Sequence, residues 1–185
     1  SDDDRARLIK KYTDHPLAEA RLHGRPVRGE GLVYRTPDEV LAVQDFAIPD
    51  HWPKIIGLDF PHGTGFFAAV KIAINPEDDV AYLINEYKEQ GRETPIYAER
   101  LRMMGGLTVP VSWPHDGARS ITDGSTIASK YRDYGINMLS SCAHLITLDG
   151  KKTFAVMTII EEMVDRMQSG RFRVFASCTG FLKEK

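Results

Sequence analysis

The sequence predicts an α/β fold: a mixed central sheet flanked by helices. Three observations carry that expectation. The stretch Ile55-Ile56-Gly57-Leu58-Asp59-Phe60 is a short apolar run bounded by turn residues, the pattern of a buried central strand. Two further apolar runs, 66–74 and 80–87, are joined only by the turn chemistry of Asn75-Pro76-Glu77-Asp78, so they must pair antiparallel. A helical segment then precedes another strand-like run, 107–113. A crossover of that kind is right-handed by default and can return the chain parallel to its first strand.

Composition narrows the class. The chain has 185 residues, 42% of them hydrophobic and 27% charged, which suits one domain with an ordinary core. Lys and Arg number 24 against 26 Asp and Glu, a net charge of −2. That balance is not the overall basic signature common in nucleic-acid binders, although a local basic rim can work on a near-neutral domain. Cys142 and Cys178 form neither a disulfide framework nor a zinc spacing, which fits a reducing cytosol. No apolar run approaches about 18 residues, so no membrane span is expected. The acidic start Ser1-Asp2-Asp3-Asp4 carries no signal peptide. That start and the end at Lys185 suggest a piece of a longer chain.

Residues 1–54 read as a lead-in. Within it, Pro16 and Gly24 bracket a short helix, and 31–35 is a plausible strand. The proline-spaced Ile48-Pro49-Asp50-His51-Trp52-Pro53 cannot be helical and delivers the chain to the first strand. After the hairpin, Thr94 caps a helix with Pro95 in its first turn, and Gly105-Gly106 ends it. Ile96, Leu101 and Met104 are its inward candidates. A second helix covers about 126–134, stopped by Gly135. A longer one covers about 154–168, where Val156, Ile159, Ile160, Met163, Val164 and Met167 make an apolar stripe. A last strand follows at 171–176, and 179–182 begins another helix.

The chemistry lies at two strand ends. The first strand runs out into Asp59, and the run 107–113 is followed by Pro114-His115-Asp116-Gly117. A strand-end aspartate taken alone also suits a turn or a cap. If the two strands lie parallel and adjacent, both carboxylates meet at the carboxyl edge of the sheet, where open α/β sheets bind ligands. Two carboxylates there repel, and hard divalent cations remove that cost. A pair of Mg²⁺ or Mn²⁺ ions about 4 Å apart can activate water and stabilise the leaving oxygen of a phosphodiester.

Gly57-Leu58-Asp59-Phe60, Trp113-Pro114-His115-Asp116-Gly117 and Lys130-Tyr131-Arg132-Asp133-Tyr134-Gly135-Ile136 resemble the nuclease domain of tailed-phage large terminases. Glu19-Ala20-Arg21 through Gly31-Leu32-Val33-Tyr34, with Ile48-Pro49-Asp50-His51-Trp52, is similar to the segment joining motor ATPase to nuclease there. The resemblance covers almost the whole chain. It implies an RNase H-like fold at 55–185, reached through a lead-in from an ATPase domain. It implies metal-dependent cutting of concatemeric double-stranded DNA at the start and end of genome packaging. A portal protein and a small terminase subunit would be partners, in the host cytoplasm. It also implies that Asp59 and Asp116 are the first two metal-binding acids. A third acid belongs on a helix expected beyond Lys185. Glu161, Glu162 and Asp165 lie opposite the apolar stripe and read as a solvated face.

Candidates for contacting the DNA backbone are Arg119, Lys130, Arg132, Lys71 and His62. His62 alternatively serves as an ordinary loop histidine. Two other readings stay open: a non-catalytic docking module of the motor, or another RNase H-like enzyme such as a resolvase or transposase.

Overall fold

A computed structural model describes residues 33–121, 123–146, 152–153 and 156–184. Thr36–Glu184 form one compact unit, and Ser1–Arg35 fall to another, of which only Val33–Arg35 are described. The helix expected between Pro16 and Gly24 lies outside the described residues. Of the strand expected at 31–35, the described part carries no strand.

Six strands form the main sheet. They are β1 (Ala42–Val43), β2 (Lys54–Asp59), β3 (Phe66–Asn75), β4 (Val80–Gln90), β5 (Val111–Ser112) and β8 (Phe172–Phe175). A separate two-stranded hairpin holds β6 (Leu145–Ile146) and β7 (Lys152–Thr153). The spatial order of the main sheet is β1-β8-β4-β3-β2-β5. The β2-β3-β4 meander is antiparallel, while β5 joins β2, and β8 joins β4, in parallel. The sheet is therefore mixed, as the sequence predicts. A bulge near Lys71/Ile72 shifts the register of β3 against β4.

Pleating decides what each face carries. One face presents Ile56, Phe67, Ala69 and Val111 to α2 (Thr94–Met103) and α3 (Ile127–Asp133). Its centre is aromatic: Phe67 stacks on Tyr97 with ring centroids 4.4 Å apart, and Phe60 meets Tyr131 at 5.3 Å. A second set of buried side chains, Leu83, Met167, Phe172, Val174 and Cys178, joins the sheet to α4 (Val156–Gln168) and α5 (Thr179–Glu184). Cys142 and Cys178 are both free thiols.

Several sequence expectations are corrected. Thr94 is the first helical residue of α2 rather than its cap; the cap position belongs to Glu93, whose side chain makes no capping bond. Ile96 is 47% exposed, and Tyr97 and Ala98 take the inward positions beside Leu101. The strand expected at 107–113 shrinks to Val111–Ser112. Thr108 and Val109 both donate their amides to the Gly105 carbonyl, so residues 107–109 are spent closing a turn. A four-residue helix α1 (Asp38–Leu41) and edge strand β1 precede β2, and neither has a clear sequence signature. The expected stop of α3 at Gly135 is present, while Thr126, expected as its first residue, is its cap and forms a reciprocal capping box with Ser129.

Helix α5 is tied to β4 at both ends, by Glu86 at its start and by the Lys88–Glu184 ion pair at its end. The Glu86 carboxylate accepts the Gly180 and Phe181 amides at 2.6 and 2.7 Å. Charge-assisted bonds of this kind are the strong ones. Glu86→Ala is expected to cost about 2 kcal/mol, read by denaturant unfolding. Faster amide exchange should be confined to 179–184.

Candidate metal centre

The geometry starts from β2. Asp59 pairs in register with Ala68 of β3, so its side chain shares a face with Gly57, Ala68 and Val70. Small residues there leave an open depression of about 320 Å³, with Gly57, Asp59, Ala68, Val70, Ser112 and Trp113 among its lining. The parallel pairing of β2 with β5 aligns Ile56 with Val111 and Gly57 with Ser112. Both strands therefore run out at the same edge. Beyond Ser112 the chain turns through a 3-10 segment, His115–Ala118, which carries Asp116.

That segment is seated by close packing. Gly117 is buried, and a Cβ on it would lie 2.5 Å from a Phe60 ring carbon and 2.7 Å from a Trp113 ring carbon. Phe60 directly follows Asp59, so the absence of a side chain at 117 lets the Asp116 turn rest on the end of β2. Trp113 is held in turn. Its indole Nε1 donates to the Leu139 carbonyl at 2.8 Å, and Arg132 donates to the same oxygen at 2.7 Å. The Arg132 guanidinium also lies 5.6 Å over the Trp113 ring.

Electrostatics tie the two acids together. Asp59 is held above the usual carboxylate range, first by desolvation and then by the nearby Asp116 charge, with His62 and the Phe60 amide opposing. The Asp116 side chain is 16% exposed, and its Oδ2 lies 2.7 Å from His62 Nε2. Its other oxygen, Oδ1, is buried and has no hydrogen-bond partner among the described residues. A buried anionic oxygen without a partner is costly. Two repelling carboxylates, one with an unpartnered oxygen, suit a hard divalent cation. Mg²⁺ commonly binds through one or two carboxylates, with water and substrate phosphate filling the remaining positions. Among the described residues no cluster of three or more His, Cys, Asp or Glu is placed to hold an ion. Asp59 and Asp116 are two candidate ligands, fewer than such a cluster.

The remaining candidates scatter. Lys71 is not brought to the acids: it pairs with Ile56, and so lies on the face opposite Asp59. Its ammonium is depressed by burial and then by Lys54. Lys130 is engaged by Asp123 at 3.0 Å, and Arg132 is occupied by Leu139 and Trp113. Arg119 is exposed, three residues beyond Asp116, and its side chain has no ion pair or hydrogen bond among the described residues. On α4, Glu162 pairs with Arg166 and Asp165 with Arg171, consistent with a solvated face. Sequence reasoning missed Gly117 as a contact residue; its only signal was the Asp-Gly dipeptide, which reads as a turn. It also missed the contact of His62 with Asp116, for which no local signal exists.

Comparison with known proteins agrees with this architecture. No protein-family model matches the chain. The large terminase subunit of Enterobacteria phage LP7 is 31% identical over all 185 residues, and the chain spans 38% of its length. The solved nuclease domain of the phage P22 large terminase is 31% identical with a TM-score of 0.69; the match covers 84% of this chain and 77% of that one. The large terminase nuclease of thermophilic phage G20c, solved with bound magnesium, shares the fold at 14% identity and a TM-score of 0.51, covering 79% of this chain and 75% of that one.

The tight seat at Gly117 makes a direct expectation. Gly117→Ala should lower stability by about 1–3 kcal/mol through overpacking, measured by chemical denaturation. A crystal structure of the variant should show the 115–118 turn displaced from Phe60.

Proposed function

The chain belongs to the nuclease-domain family of phage large terminases, with its RNase H-like fold, and on that footing we propose that it is a divalent-metal-dependent DNA endonuclease acting in genome packaging. The observation that carries the reading is the pairing of Asp59 with Asp116 at one sheet edge, with Asp116 Oδ1 buried and unpartnered. A bound pair of Mg²⁺ or Mn²⁺ ions would supply Lewis acidity to a phosphodiester and a source of hydroxide at neutral pH. Asp59 and Asp116 would hold the ions. The two strand ends keep the carboxylates in place, and the open depression beside Asp59 leaves room for a substrate to approach. The exposed Arg119 stands ready to meet a backbone phosphate.

Within the parent subunit, residues 1–54 would arrive from an ATPase domain, and 55–185 would form the cutting unit. Its substrate would be concatemeric double-stranded DNA, cut when packaging starts and when it ends. The portal protein and small terminase subunit would be its partners, in the host cytoplasm. No described helix is long and apolar enough to cross a membrane. With a net charge of −2, the chain alone should bind DNA weakly, and the motor would present the duplex.

Plasmid nicking in Mn²⁺ tests the assignment. Asp59→Asn and Asp116→Asn should each remove cleavage, and both should keep the melting temperature of the metal-free chain. The physical reason holds most clearly for Asp59. A carboxyl raised above its unfolded value favours the folded state only at acid pH, and that advantage is lost as pH rises through the folded value. At neutral pH the substitution therefore removes a repulsion rather than a support. Wild-type cleavage no better than that of Asp59→Asn would instead favour a docking role. Arg119→Ala should weaken duplex binding equally across sequences and reduce the salt slope by about 1, read by fluorescence anisotropy at several ionic strengths.

A further inference from the structure

His62 sits in a loop that is closed on itself. Gly65 donates its amide to the His62 carbonyl at 2.8 Å, and Gly63 takes a positive φ of 56°. A Cβ on Gly65 would lie 3.0 Å from that same carbonyl oxygen, so the turn leaves little slack. The backbone of His62 is thus held just past Asp59, while its ring reaches across to Asp116 of the neighbouring strand end. The ring is largely exposed, at 62%, so burial contributes little to holding it there. Its Nε2 meets Asp116 Oδ2 at 2.7 Å, and the opposite oxygen of the same carboxylate is the buried, unpartnered Oδ1.

A carboxylate with one oxygen engaged has a fixed rotation about its own axis. The free oxygen then points one way, at no further ordering cost when a cation arrives. Groups that hydrogen-bond metal-ligating side chains act in this manner, and losing one typically costs 10–100-fold in affinity. We infer that His62 is a positioning residue for the candidate metal centre: by engaging Asp116 Oδ2 it aims Oδ1 at the cation. This assignment rests on the metal reading proposed above and adds a role for a loop histidine that the two acids alone do not require. It also differs from a direct contact of His62 with DNA phosphate, since it is Nε2 on Asp116 that performs it.

The test is Mn²⁺ binding to the full chain without DNA, at one fixed neutral pH, followed by electron paramagnetic resonance of the free ion. Wild type, His62→Ala, His62→Gln and Asp116→Asn are compared, with thermal melts of each. His62→Ala should bind Mn²⁺ about 10–100-fold more weakly than wild type with its melting temperature kept. His62→Gln, whose side-chain amide can donate to Oδ2, should recover most of the affinity. Equal or tighter binding by His62→Ala would overturn the inference, tighter binding marking the contact as a competitor of the ion. Loss of affinity in the glutamine variant to the same degree as in the alanine variant would also overturn it. Asp116→Asn separates the two levels: if wild type binds no Mn²⁺, or Asp116→Asn binds it equally well, the metal reading falls together with this one.

Discussion

The parallel seating of β5 beside β2 is the constraint on which the site depends. It rests on little backbone: Ile56 against Val111 and Gly57 against Ser112, with the Ile56 amide donating to the Pro110 carbonyl. So short a pairing holds because both flanks are packed. Ile56 and Val111 are fully buried in the aromatic core, and residues 137–139 extend the sheet on the far side through bonds to Val111. Once those strands are side by side, two acids that are 57 positions apart in the chain share one edge. Their mutual repulsion is then a property of the fold.

The side chains around this edge divide between holding and meeting. Gly117 holds by absence, letting the Asp116 turn lie on Phe60 and Trp113. Arg132 holds by presence, joining Trp113 at the Leu139 carbonyl. Read in sequence, Arg132 is a basic residue available for DNA; in the structure one of its donors, Nη2, also serves the scaffold under Asp116. Lys130 is likewise diverted, to Asp123, whose carboxyl is held down to about 2 by its Ser125 bonds and by Lys130. Arg119 alone of the basic candidates combines exposure, proximity in sequence to Asp116 and freedom from partners among the described residues.

Much of the fold was legible in advance because its cues are local. The β2 run, the Asn75–Asp78 turn, the Gly135 stop of α3 and the onset of α5 each follow from a few neighbouring residues, and each is present. Where expectation failed, a distant contact overrode local preference. Residues 107–109 have strand propensity but close a turn onto Gly105. Ile96 is apolar but sits on the outer side of α2, because Tyr97 fills the space against Phe67.

From the order of residues follow the strand that ends in Asp59, the second acid at a strand end, and the crossover that can join them, because burial pattern and turn chemistry act over a few positions. The family resemblance rests on those same short motifs, and the fold agrees with it. The convergence of His62 on Asp116, the stranded Oδ1 and the glycine-sized gap under the Asp116 turn came only from folding. Each joins residues that sequence spacing leaves unconnected, and each exists because packing fixes two segments within a few ångströms of one another.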